Sequence, residues 1–182
     1  MTCGTGTEAP LILTLLMDDA SQGKFDRLRE AHFPPERNYL RAHLTLFHKL
    51  PAEHEPEISE DLREVCGGHE PFTLTATGVR FLGRGVAYEL LSPELLSIRK
   101  DLAVRWEPWL GAQDRQGFRP HVTVQNKVSP KEARELHESL QASFSPFEVR
   151  GEGLSLWRYL GGPWEHAGTY PFGGVPERPQ PL

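Results

Sequence analysis

Cysteine is scarce in this sequence. Of its 182 residues only Cys3 and Cys66 carry a thiol. Two cysteines do not make a disulfide framework, so a reducing, cytoplasmic setting is expected. Long apolar runs are also missing. No stretch approaches the roughly 18 residues of a membrane span. The N-terminus MTCGTGTEAP has no Lys or Arg ahead of LILTLLM, and that run is too short for a signal sequence. A positive balance is lacking too: 20 Lys and Arg stand against 25 Asp and Glu, a formal charge of −5. A long nucleic acid selects for a basic face, so a small ligand or a chain end is expected rather than an extended duplex. There is no glycine-rich phosphate loop and no G-x-S-x-G element. His54, His69, His137 and His166 are scattered without metal-ligand spacing. Neither a metal nor another cofactor is therefore expected.

What is present is enough for a core: 38% hydrophobic and 25% charged residues. Residues 1–9 read as a loose tail, 10–172 as one domain, and 173–182, rich in Pro and Gly, as a second tail. Within the domain, Leu11–Met17 is a buried strand bounded by Pro10 and Asp18-Asp19. Helices are predicted over 20–31 and 55–66, from Ser92 to about Trp106, and over 129–142. Ser92-Pro93-Glu94 and Ser129-Pro130 supply caps for the last two. Strands are predicted at Tyr39–Leu46, Phe72–Phe81, Gly85–Leu91, Arg119–Val128, 146–159 and 164–172.

The most informative segment is RAHLTLFHK, residues 41–49. Its pattern R-x-H-x-T-x-x-x-K returns as RPHVTVQNK, residues 119–127. More than the motif recurs. Each copy is followed by a helix, a Pro-Phe pair (Pro71-Phe72, Pro146-Phe147) and a glycine (Gly78, Gly153), so one supersecondary unit is used twice. The first repeat covers about 40–91 and the second about 118–172. Alternating strands and helices favour layers of α and β. Two such units packed about a pseudo-twofold axis would set the motif strands near that axis.

Alternate strand residues share a face at roughly 6.6–7 Å spacing. Arg41, His43, Thr45 and Phe47 then face one way, and Arg119, His121, Thr123 and Gln125 do so in the second copy. Leu44, Leu46, Val122 and Val124 lie behind. By the same alternation His48 points off the His43 face and reads as exposed. Two imidazoles across a cleft can act as general base and general acid, because imidazole titrates near pH 6.5. Threonine hydroxyls beside them can donate to a non-bridging oxygen. A phosphodiester suits that arrangement. Arg41, Arg119, Lys49 or Lys127 could add charge stabilisation. Trp157, Arg158 and Tyr159 are expected near the cleft, where an aromatic could stack on a base.

HLTL at His43–Leu46 and HVTV at His121–Val124 resemble the paired H-x-T-hydrophobic motifs of the two-histidine (2H) phosphoesterases. Within these the chain is similar to the bacterial 2'-5' RNA ligase-like, RNA 2',3'-cyclic phosphodiesterase group. The resemblance spans about residues 10–172, including Pro71-Phe72-Thr73-Leu74 and LSLWRYLGGPWE. It implies an α+β, bilobal fold of two ferredoxin-like βαβ halves around a metal-free cleft. It implies opening of 2',3'-cyclic phosphates of RNA ends or small cyclic nucleotides to 2'-phosphates, and in some members reversible 2'-5' ligation. His43 and His121 would be the acid–base pair, the first protonating the leaving 3'-oxygen and the second activating water. Thr45 and Thr123 would hold the phosphate. Many ligase-like members carry Arg five residues after the second histidine, where this chain has Asn126; Lys127 or Arg158 would replace it. A monomer is expected. The alternatives are end-joining and a pocket that binds nucleotide or RNA without turnover.

Overall fold

The computed structural model describes residues 9–173, so most of both expected tails, residues 1–8 and 174–182, lies outside the described residues. Among the described residues, seven strands and five helices follow one another as β1 (Leu11–Met17), α1 (Asp19–His32), β2 (Thr45–Leu50), α2 (Glu55–Gly67), β3 (Phe72–Phe81), β4 (Val86–Leu91), α3 (Pro93–Arg105), α4 (Ala112–Arg115), β5 (His121–Gln125), α5 (Pro130–Ala142), β6 (Phe147–Tyr159) and β7 (Trp164–Pro171). Three of the helices start at a side-chain cap, and for α3 and α5 it is the serine that the sequence predicts. Asp18 accepts the Ser21 N–H at 3.0 Å, Ser92 that of Leu95 at 3.0 Å, and Ser129 that of Glu132 at 3.1 Å. Each such cap satisfies an otherwise unpaired N–H of the first turn.

All strand pairs are antiparallel, in the order β2-β1-β6-β3-β4-β5, with β7 also on β6. The long β6 makes this possible by changing partner. Phe147–Gly151 pairs with β3, and Gly153–Tyr159 pairs with β7, while β1 runs along the opposite edge. Gly153 sits at the change, where a Cβ would come within 2.5 Å of the Tyr170 carbonyl oxygen. The element order reads strand–helix–strand–helix–strand from β1 to β3 and again from β4 to β6, interrupted by the short α4. The third strand of each run pairs with the first strand of the other run.

The motif strands are not central, as the sequence suggested; they end the path at opposite sides. A flat sheet would hold them far apart. This one curls, and side chains from both ends line one cavity. The right-handed twist that accumulates from strand to strand accounts for the curl. Helix α1 spans the opening: it packs on β5, and Arg29 donates from Nη1 to the Thr123 carbonyl at 3.4 Å. The core combines Leu11, Leu13 and Leu15 of β1 with Leu44 and Leu46, Ile58 and Leu62 of α2, Leu95, Ile98 and Leu102 of α3, and Val122 and Val124 of β5. The helical members recur at three- and four-residue spacing, the stripe that buries one helix face.

Candidate active site

The first motif strand begins later than its alternation predicts: β2 starts at Thr45, so His43 lies on the segment just before it. That segment still runs beside β1, with the Leu15 N–H donating to the Leu44 carbonyl at 2.9 Å. The second strand, β5, begins at His121 itself.

Both strands carry the same irregularity. Thr14 pairs with Thr45 but the next residue back, Leu13, pairs with Phe47. Likewise Ala87 pairs with Thr123 and Val86 with Gln125. One extra residue follows the threonine in each copy, a β-bulge. Its effect is the same twice: histidine and threonine half-buried, the next two residues after threonine both buried, then polar residues turned outward. Phe47 and Gln125, assigned by alternation to the histidine face, are therefore buried.

His43, Thr45, His121 and Thr123 line a single cavity of about 200 Å³, together with Ile12, His48 and Trp164. His48 is exposed, as the sequence reading expected, but its face is not the expected one. Alternation put it off the His43 face, but the bulge rotates it back toward the cavity. The two motif imidazoles are held alike. His43 Nδ1 lies 2.8 Å from the Arg41 carbonyl and His121 Nδ1 2.9 Å from the Arg119 carbonyl. A carbonyl can only accept, so each Nδ1 carries the proton and each Nε2 is left free.

Burial pushes the His43 imidazole down to about 4, against the hydrogen bond to Arg41 that favours its charged form; the nearby Arg29, His121 and His48 add to the depression. Trp164 contributes to this shielding, its ring centroid 4.7 Å from that of His43. His43 is thus neutral near pH 7 in the free protein. For it to give a proton, it must first take one up when an anion arrives at Nε2. In an NMR pH titration of the ligand-free protein the His43 ring should titrate near 4, and adding a 2'-nucleotide should raise that value. A His43 titrating at or above about 6.5, the ordinary imidazole value, before ligand is added would contradict this.

The remaining candidates lie elsewhere. Arg41 pairs with Asp26 at 3.0 Å and borders a neighbouring groove, not the cavity. Arg119 pairs with Glu89 at 2.7 Å and faces a different surface hollow. Arg158 is bound by Glu55 and, at 2.9 Å, by Glu165. Tyr159 is exposed, and Lys127 is exposed in a left-handed conformation with φ of 62°. None of the five is among the residues that line the cavity. Cys66 is buried in the core, and burial pushes its thiol up to about 12, which leaves no nucleophile there.

Sequence reasoning missed Trp164 and Ile12, which reach the cavity through pairing of β7 and β1 with β6. It also missed the groove of about 360 Å³ that adjoins the cavity. His43 and Trp164 belong to both, and Tyr39, Trp157 and His166 are among the groove's other walls. Trp157 is fixed there by its Nε1–H, which donates to Thr14 Oγ1 at 2.9 Å.

Two histidines with free Nε2 atoms, two threonines and a curled antiparallel sheet define a site of the two-histidine phosphoesterase kind. The family model of the 2'-5' RNA ligase superfamily matches residues 17–163, and the chain belongs to that superfamily. No curated protein matches it in sequence. The crystal structure of TT0787 of Thermus thermophilus is similar, with a TM-score of 0.65 at 16% identity over 91% of this chain and 98% of that one. Escherichia coli LigT complexed with 3'-AMP gives 0.58 at 18% identity, covering 91% and 98%. LigT complexed with NADP+ gives 0.58 at 19%, covering 91% and 99%. These structures share the fold.

Proposed function

We propose that the protein is a metal-independent cyclic phosphodiesterase that opens nucleoside 2',3'-cyclic phosphates, free or at RNA ends, to 2'-phosphates. The observation that carries the reading is the convergence of both motif histidines, each with Nε2 free, and both motif threonines on one small cavity. Water attacks phosphorus in line with the bond to O3'. One imidazole takes the proton from water as the P–O3' bond breaks, and the other gives a proton to O3'. The threonine hydroxyls donate to non-bridging oxygens. Proton transfer at both ends removes the need for a charged nucleophile or a charged leaving group.

The adjoining groove supports a nucleotide rather than a bare phosphate, because aromatic rings provide a surface for a base. The LigT complexes with 3'-AMP and with phosphate show such ligands on a protein of this fold. No group of three or more His, Cys, Asp or Glu suited to an ion occurs among the described residues, and acid–base chemistry by imidazoles needs none.

The test is turnover of adenosine 2',3'-cyclic phosphate, with the product identified by chromatography. The 2'-phosphate should form at the same rate with and without EDTA. Formation of the 3'-phosphate, no turnover, or loss with chelator and recovery with a divalent ion would overturn the proposal.

A further inference from the structure

The cavity poses a charge problem. A phosphodiester is an anion, and an anion taken out of water needs a compensating donor or charge. No Lys or Arg lines the cavity, and Arg41, Arg119 and Arg158 are committed to carboxylates. Beyond the motif histidines and threonines, the polar groups in its wall are the uncharged Trp164 indole N–H and His48, and of these two only His48 can carry a charge.

His48 is built into the cavity from behind. The Asp114 side chain is buried, and its Oδ1 lies 2.9 Å from the His48 backbone nitrogen and 3.1 Å from His48 Nδ1. Oδ2 accepts the Lys49 N–H at 3.0 Å. Burial alone would raise the Asp114 carboxyl, but the hydrogen bonds from the His48 side chain and from the two backbone N–H groups outweigh it and hold the group below the usual range. Asp114 is therefore ionised and can only accept, so His48 Nδ1 carries a proton and Nε2 is the free nitrogen of a ring that lines the cavity. Arg99 fixes the assembly. It donates from Nη2 to the Asp114 carbonyl and from Nε to the Leu46 carbonyl, each at 2.7 Å. A carboxylate behind an imidazole orients the ring and fixes its tautomer. The other charged or titratable groups around His48 are His43 and His121 in the same cavity and Lys49 beside it on β2.

We propose that His48 is a third phosphate-contacting imidazole of this site: with its Nδ1–H held by Asp114, the ring takes up a second proton at Nε2 as the anion binds and donates that N–H to a non-bridging oxygen, Asp114 acting as its positioning residue. This rests on the cavity being the phosphate site. The position lies five residues after the first motif histidine, and its counterpart in the second copy is Asn126.

The test uses the full chain, with 2'-AMP as probe. In wild type, adding 2'-AMP should shift the His48 Nε2 resonance. His48→Asn keeps a donor for Asp114 but loses the reach of Nε2. It should weaken 2'-AMP binding and lower turnover of the cyclic phosphate by roughly 10–100-fold, as expected for loss of a hydrogen bond to a charged group. His48→Gln returns a neutral donor near Nε2 and should recover part of that loss, which a purely structural role would not give. Asp114→Asn removes the carboxylate that supports the charged ring, so activity should fall and the alkaline limb of the pH profile should move to lower pH. If wild type turns over and binds while His48→Asn and His48→Gln match it, the inference fails and the proposed activity stands. If wild type binds 2'-AMP through His48 yet opens no cyclic phosphate, the activity fails and the inference stands. Absence of both binding and turnover overturns both.

Discussion

Replacing either motif histidine with alanine should lower turnover of a nucleoside 2',3'-cyclic phosphate by roughly 10²–10⁴-fold, the range for losing one proton-transfer group. His43 and His121 are half-buried in a cavity wall rather than in the core, so both variants should fold. The double variant should lose less than the product of the single losses, because two groups that act on one phosphate fail as a unit. On the proposed mechanism Thr45 and Thr123 donate hydrogen bonds and transfer no proton, so the histidine variants should be the most damaging substitutions of the four. A His43→Ala or His121→Ala protein that keeps wild-type turnover would remove the assignment.

The second large effect concerns stability. Gly85→Ala should destabilise the protein by about 1–3 kcal/mol or more, the cost of forcing atoms into a filled interior. Gly85 opens β4 opposite the bulge of β5. A Cβ there would lie 2.0 Å from the Gln125 carbonyl oxygen and 2.7 Å from the Asn126 Cα. Both atoms are backbone and cannot rotate away, so β5 would have to separate from β4 or Gly85 from its turn. Since β5 carries His121 and Thr123, turnover should fall as well. Gly78 on β3 is the contrast: nothing lies within 4 Å of its added Cβ, and Gly78→Ala should change stability by about 0.5 kcal/mol or less. Equal urea midpoints for the two variants would refute the steric argument.

The long elements were legible because local rules fix them. Ser92-Pro93 and Ser129-Pro130 mark helix starts, and Phe72–Phe81 has the bounds read from alternation. The family was legible for a different reason: the motif occurs twice, with its apolar partners. What alternation could not supply was the bulge. HLTLFHKL does hold a signal, an apolar pair followed by a polar pair, which breaks a period of two and marks an inserted residue. Reading it would have turned His48 toward the site and Phe47 into the core. Asp114 was out of reach, since it sits on the four-residue α4 and meets His48 only through tertiary contact. The arginines misled for a related reason. Asp26, Glu89 and Glu55 neutralise Arg41, Arg119 and Arg158 across sequence separations that no local pattern reveals.

The two halves of the site sit at opposite ends of a six-strand path, so the gap between the imidazoles is a sum over five successive interstrand rotations. Each rotation is about −20 to −25°. A sum behaves unlike any of its parts. A small opening at the β3–β6 joint can be cancelled by a closing at β1–β2, with no change at the histidines. Geometry that is conserved as a total leaves each contributing residue free to vary against the others. A chain sharing 16% of its residues with TT0787 has the same fold, with a TM-score of 0.65.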